Sequence, residues 1–206
     1  MRIGIDIDGV INDLERYQID YGTYFNYENN ISSEPDFTQY KLSQIYGWNK
    51  DVCSRFHRQF SDIFFLSSLY VRPLASLAID ILAMTHEIYI LTARPDSLSD
   101  YLSLPPEGTT KSFTEQWLKD NNIRYDKLIF TSVNKSYTIR QNEIDIIIED
   151  NPEFLTEVAK KSEIPVMCFH ARYNESIVGK NFLRVFSWYD VLSKIKQLSG
   201  LRGTRV

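Results

Sequence analysis

Residues 1–11 read MRIGIDIDGVI. Arg2–Ile7 is a short apolar run of the kind that parallel sheets bury on both faces. Side chains alternate along a strand, so Asp6 and Asp8 start on the same side. Gly9 permits the tight exit that the chain needs after such a strand. Two carboxylates at the C-terminal end of a parallel strand stand where open α/β sheets bind ligands. They repel one another unless a cation or proton intervenes, and hard oxygen donors suit Mg2+ better than Zn2+. Taken alone, the same residues also read as an ordinary strand-to-turn exit.

Working outward, further strands are expected at Glu87–Thr92, Lys127–Thr131, Ile144–Ile148, Pro165–Phe169 and Phe182–Phe186. Helical patterns alternate with them at Pro73–Thr85, Ser112–Asn121, Pro152–Lys161 and Trp188–Leu198. Ser112 and Glu115 have capping-box spacing, and the tail Ser199–Val206 reads as frayed. Such alternation predicts an α/β fold, a doubly wound (Rossmann-like), mostly parallel sheet. The stretch 14–71 breaks the pattern and reads as helices only, at Asp13–Tyr27, Phe37–Tyr46 and Asp51–Ser61. It is therefore expected to be a small helical cap inserted after the first strand, with residues 1–13 and 72–206 forming the core. Thirteen aromatic residues fall between Glu15 and Phe65. They suit either a nucleobase-stacking surface, with Tyr17, Tyr21 and Tyr24 as candidates, or the cap's own core. The long connection Asp96–Gly108 is a candidate rim.

Composition narrows the function classes. At 206 residues the chain fits one domain with an insertion. Lys+Arg 23 against Asp+Glu 27 leaves a net charge of −4, without the basic surface that a nucleic acid polymer needs. The two cysteines, Cys53 and Cys168, form neither a metal pair nor a disulfide framework. No segment approaches a membrane span, and acids occupy the first residues where a signal peptide is apolar, so the expected location is cytoplasmic. The chain contains no GxxxxGK or GxGxxG stretch, and the spacing after Asp6 does not fit a calcium loop.

A second acid pair, Glu149-Asp150, follows the apolar run Ile144–Ile148 and precedes Asn151-Pro152. Helix capping would account for one such acid. In a doubly wound order, however, this strand neighbours the first and gathers all four acids at one crevice. Leu91-Thr92-Ala93-Arg94 ends another strand, and its hydroxyl, backbone N–H groups and guanidinium suit a phosphate. Lys135, in the expected loop Ser132–Ser136, is a candidate to offset the charge of nucleophile and phosphate.

In this order, IDIDGVI at 5–11, LTAR at 91–94, Lys135 and IIED at 147–150 resemble the haloacid dehalogenase superfamily of phosphohydrolases. The wider stretches 114–130 and 144–153 resemble bacterial nucleotidases related to the 5′(3′)-deoxyribonucleotidases. The resemblance implies an aspartyl-phosphate mechanism. Asp6 is then the nucleophile and Asp8 the acid and base. Gly9, Thr92, Ala93, Arg94 and Lys135 bind substrate. Mg2+ is held by Asp6, the Asp8 backbone, Asp150 and Glu149, with the choice between the last two as direct ligand left open. The expected substrate is foremost a nucleoside monophosphate, with a sugar phosphate or other small phosphomonoester as the alternative and a non-catalytic phosphate-binding protein as the remaining reading.

Overall fold

The computed structural model describes residues 1–62, 69–94, 110–131, 135–161 and 164–203. Its six strands are β1 (Arg2–Ile5), β2 (Glu87–Thr92), β3 (Lys127–Phe130), β4 (Ile146–Glu149), β5 (Val166–Phe169) and β6 (Phe182–Val185). All neighbours are parallel, in the order β3-β2-β1-β4-β5-β6. The chain builds outward from β1 to β3, then returns to the other side of β1 for β4. That reversal opens a crevice at the C-terminal tips of β1 and β4. Ile5 is level with Ile90 of β2 and Ile148 of β4, so the tips end at one height.

Period-two alternation sorts the strand residues into two apolar layers. Ile3, Ile5, Ile88, Ile90, Ile146, Ile148, Met167 and Phe169 belong to one, together with Ile79, Trp117, Trp188 and Ile195. Tyr89, Leu91, Ile147, Val166 and Cys168 belong to the other, with Ile139, Leu155 and Val158. Both faces of the sheet are thus covered, as all-parallel sheets require.

Helices α1 (Leu14–Glu28), α2 (Leu42–Ile45) and α3 (Lys50–Asp62) precede α4 (Ala75–Ala83). The expected helix at Phe37–Tyr46 shrinks to α2. The carboxylate of Asp36 accepts from the Thr38 N–H at 3.0 Å and holds a local turn in place of the first helical turn. The two ends of this segment are pinned together. Asn12 pairs antiparallel with Val71, Asp13 N–H donates to Tyr70 O at 3.1 Å, and Arg72 N–H donates to Ile11 O at 2.8 Å. Inside it, Phe25, Trp48, Phe56 and Phe60 meet in tilted or edge contacts, and Tyr46 stacks on Trp48 at 4.5 Å. Gly22 makes room for that stack, because a Cβ there would lie 2.3 Å from the Tyr46 ring.

Beyond β2 follow α5 (Thr110–Asp120), α6 (Lys135–Gln141), α7 (Pro152–Lys161) and α8 (Trp188–Gly203). Helix α5 starts ahead of Ser112, so that serine lies inside it and the expected capping box is not what begins the helix. Helix α8 continues past Ser199 to Gly203, where fraying was expected, and Leu198 packs against the core. The expected rim Asp96–Gly108 lies outside the described residues.

Candidate active site

The N-terminal acids owe their placement to the exit from β1. Asp6 is extended, and its N–H still donates to Ile148 O at 3.1 Å. The chain then makes a wide turn over Ile7–Ile11, closed by Asn12 N–H on Ile7 O at 3.1 Å. Gly9 carries the turn at φ +90°, where a Cβ would stand only 1.9 Å from Asp150 Oδ2. Glycine therefore satisfies both the backbone angle and the close approach of the second acid pair. Buried Asn12 ties the turn down. Its Oδ1 accepts from Gly9 N–H at 2.9 Å and its Nδ2 donates to Asp8 Oδ1 at 2.7 Å.

At the tip of β4, helix capping falls to Asn151, whose Oδ1 accepts from Glu153 N–H at 2.8 Å. Glu149 and Asp150, both fully buried, are left for other work. Glu149 Oε1 accepts from the N–H groups of Asp150 and Asn151, each at 3.0 Å. Carboxylate oxygens of Asp6, Glu149 and Asp150 lie within 4.8 Å of one another. Lys135 Nζ stands between two of them, 2.6 Å from Asp6 Oδ1 and 2.5 Å from Glu149 Oε2. The lysine comes from the first turn of α6 and not from a loop.

One ammonium does not balance three buried carboxylates. Burial, then the charge of Glu149, pushes the Asp6 carboxyl up to about 8, although Lys135 pulls the other way. Burial and the charges of Glu149 and Asp6 likewise raise Asp150 well above the usual carboxylate range. Asp150 Oδ2 accepts from the Tyr173 hydroxyl, whereas buried Oδ1 has no hydrogen-bond partner among the described residues. A buried acceptor without a donor, beside two more hard oxygens, fits a divalent cation.

The Asp8 side chain points elsewhere. Arg94 Nε donates to its Oδ2 at 3.0 Å and Nη2 to its Oδ1 at 2.8 Å. Burial disfavours the charged form of Asp8, but the Arg94 guanidinium outweighs it and holds the carboxyl below its ordinary value. The fork expected to face a phosphate is thus closed on an acid. Thr92 Oγ1, buried at the tip of β2, accepts from Arg94 N–H at 3.3 Å and keeps its own proton to donate. Ala93 is exposed beside it, and the Gly9 N–H is spent on Asn12.

The three tyrosines divide. Tyr17 is buried, with its hydroxyl donating to Phe60 O at 3.3 Å. Half-buried Tyr21 packs between the rings of Tyr17 and Phe60, at 5.0 and 5.3 Å. Exposed Tyr24 bonds Glu28 at 2.5 Å. Much of the aromatic enrichment therefore builds the core of segment 14–71 itself.

Several site neighbours had no motif to announce them. Tyr173 and Asn174 sit in a single turn after β5, and Asn174 Nδ2 donates to Asp150 O at 2.8 Å. Arg184 steadies Asn174 Oδ1 at 2.9 Å. From segment 14–71, the Tyr40 ring meets that of Tyr173 at 5.1 Å, and its hydroxyl accepts from Asn151 Nδ2 at 3.3 Å. The one available signal was position, a polar cluster just past the tip of another strand.

Known proteins are similar to this chain in sequence and in fold. The model of the family described as 5′ nucleotidase, deoxy (Pyrimidine), cytosolic type C protein matches residues 1–199. The "Putative nucleotidase YqfW" of Bacillus subtilis is 27% identical over 194 residues, covering 93% of this chain and 92% of that one. Among solved structures, the haloacid dehalogenase-like hydrolase SP0104 of Streptococcus pneumoniae superposes with a TM-score of 0.58 at 14% identity, over 94% of this chain and 97% of that one. The D,D-heptose 1,7-bisphosphate phosphatase of B. bronchiseptica, solved with magnesium and phosphate, gives 0.53 at 10% identity, over 96% and 98%. At these identities the two structures bear on the fold.

Proposed function

Because the chain belongs to the cytosolic type C 5′-deoxynucleotidase family, and so to the haloacid dehalogenase-like phosphohydrolases, we propose that it is a Mg2+-dependent phosphomonoesterase of nucleoside monophosphates. The observation that carries this reading is the buried trio Asp6, Glu149 and Asp150 around Lys135, with one Asp150 oxygen that has no partner among the described residues. Asp6, the Asp8 backbone and Asp150 would hold the ion. Glu149, already engaged by two N–H groups and Lys135, supports the site without direct ligation. When bound, Mg2+ offsets the repulsion between a carboxylate and a phosphate dianion.

The side chains then divide the chemistry. An Asp6 oxygen attacks phosphorus while the ester P–O bond breaks, and the departing oxygen takes a proton from Asp8. Water next attacks the aspartyl-phosphate, giving its proton to Asp8 as the bond to Asp6 breaks and phosphate leaves. Lys135 and the Thr92 hydroxyl hold the phosphoryl oxygens, whose charge grows in the transition state. Residues 14–71 serve as a cap over 1–13 and 72–206, and set substrate choice. Their pinned ends and the contact of Tyr40 beside Asp150 support that role. Tyr21 and Tyr24 are the ring faces of this cap offered to a base.

Two measurements test the reading. With Mg2+, kcat/KM for deoxyribonucleoside monophosphates should exceed that for sugar phosphates by about tenfold or more, the scale of discrimination that a few pocket contacts supply. Preference for sugar phosphates overturns the substrate, and undiminished turnover in EDTA overturns the metal. The second is thermal. Folded Asp6 and Asp150 keep protons at pH values where the unfolded chain has lost them. Metal-free stability therefore falls as pH climbs from the carboxylate range through about 8. Mg2+ competes with those protons. Its stabilisation, about 5–10 °C in Tm at roughly 100 times its Kd, should be larger at pH 8.5 than at pH 5.5. A gain that ignores pH would count against ion binding at these acids.

A further inference from the structure

We propose that Arg94 is a positioning residue for Asp8, which with Asn12 leaves that carboxylate one open acceptor site, on Oδ2, for the proton in transit. The arginine was expected to grip phosphate, and the geometry assigns it other work. Its side chain is only 2% exposed, and Nε and Nη2 take the two oxygens of Asp8 at 3.0 and 2.8 Å. Nη1 donates to Thr114 Oγ1 at 3.4 Å, Thr114 donates in turn to Thr110 O at 2.8 Å, and the guanidinium lies 5.7 Å from the Trp117 ring centre. Helix α5 thereby sets where Arg94 stands, and Arg94 sets where Asp8 stands.

Counting lone pairs identifies the open site. A carboxylate offers about four acceptor positions, two on each oxygen. Oδ1 receives Arg94 Nη2 and Asn12 Nδ2, the latter at 2.7 Å, and is full. Among the described residues, Oδ2 receives only Arg94 Nε. The proton that leaves Oδ2 goes to the ester oxygen as that oxygen takes the P–O electron pair. Asp8 is left as a carboxylate still paired with Arg94. To turn its Nε/Nη2 fork on a phosphate instead, Arg94 would have to leave Asp8, taking the cation away from that partly buried carboxylate.

The inference rests on Asp8 being the acid, so its test includes that residue. An alkoxide departs only with a proton, whereas p-nitrophenolate departs without one. The parameter kcat/KM for a nucleoside monophosphate and for p-nitrophenyl phosphate reports the step in which the leaving group goes. Arg94→Gln should lower the first by about 10²-fold, within the range that acid catalysis supplies. It should lower the second by less than about fivefold and leave KM and inhibition by inorganic phosphate unchanged. Thr114→Val, which keeps the arginine but removes its anchor, should show the same pattern more weakly. If Arg94→Gln instead raises KM and weakens phosphate inhibition for both substrates alike, Arg94 is a phosphate ligand and the inference is overturned. Asp8→Asn separates the two failures. Equal losses on both substrates remove the acid role itself, while a selective loss there without one in Arg94→Gln refutes only the positioning role.

Discussion

Asp6→Asn is expected to lower hydrolysis of nucleoside monophosphates by at least about 10⁴-fold, the scale seen when a nucleophile is lost, while the metal-free protein melts no earlier than the wild type at pH 8.5. The first half follows from the chemistry, since a carboxamide does not form the acyl-phosphate. The second follows from charge. Asp6 is buried among like charges that resist its ionisation, with Lys135 the offsetting partner, and so its carboxyl sits near 8. A neutral isostere gives up the charge pairing with Lys135 but relieves the repulsion by Glu149. Lys135 keeps Glu149 at 2.5 Å and does not become an unpaired buried charge. Steady-state kinetics and a melt on the same preparation check both halves. Turnover within tenfold of the wild type would remove Asp6 from the reaction, whereas a collapsed melt would mean that its negative charge holds the site together.

The second large effect is expected at Gly9. Gly9→Ala should weaken Mg2+ binding, read by calorimetry, by about 10–100-fold, comparable to losing a group that orients a metal ligand. Turnover at fixed subsaturating Mg2+ should fall in proportion. The new methyl would meet Asp150 Oδ2 at 1.9 Å, at a backbone angle of φ +90° that side chains rarely adopt. Backbone strain of this kind costs about 1–3 kcal/mol. The least costly relief is to push Asp150 aside, which also breaks its bond from Tyr173. Normal Mg2+ affinity in this variant would show that Asp150 does not have to stand where the turn presses against it.

The acids were legible because strand ends are. RIGI and IDIII are apolar runs that only a covered sheet accommodates, and whatever polar residue follows such a run emerges at the crevice. The same logic placed Thr92 at the tip of β2. Lys135 was read as a candidate for the right charge, yet in a loop, although the helix already begins at that residue. Asn12 and Tyr173 escaped notice for a different reason. Asn12 makes local bonds, to the Gly9 N–H and to Asp8, that no motif marks, whereas Tyr173 bonds Asp150, a partner that only folding brings near and that neither periodicity nor spacing encodes. Arg94 was noticed, but a guanidinium fork fits a carboxylate as well as a phosphate, and only coordinates show which one it holds. The aromatic run was similarly two-sided until Gly22 was seen to admit Tyr46.

The strand order also has a consequence for how the protein is made. The strand β1 leaves the ribosome before the other described strands and is an inner one, flanked in the finished sheet by β2 and β4, which begin at Glu87 and Ile146. At about 5–20 residues per second, it waits several seconds for its first neighbour and longer for its second. Through that interval Ile3 and Ile5 carry an unpaired edge on each side, an invitation to aggregation. The helices from Leu14 to Asp62 emerge in the meantime and share an apolar layer with β1. They can shelter the nascent strand before any neighbour arrives. Asp6 is thus synthesised long before Glu149 and Asp150, and meets them only after more than 140 further residues have been translated.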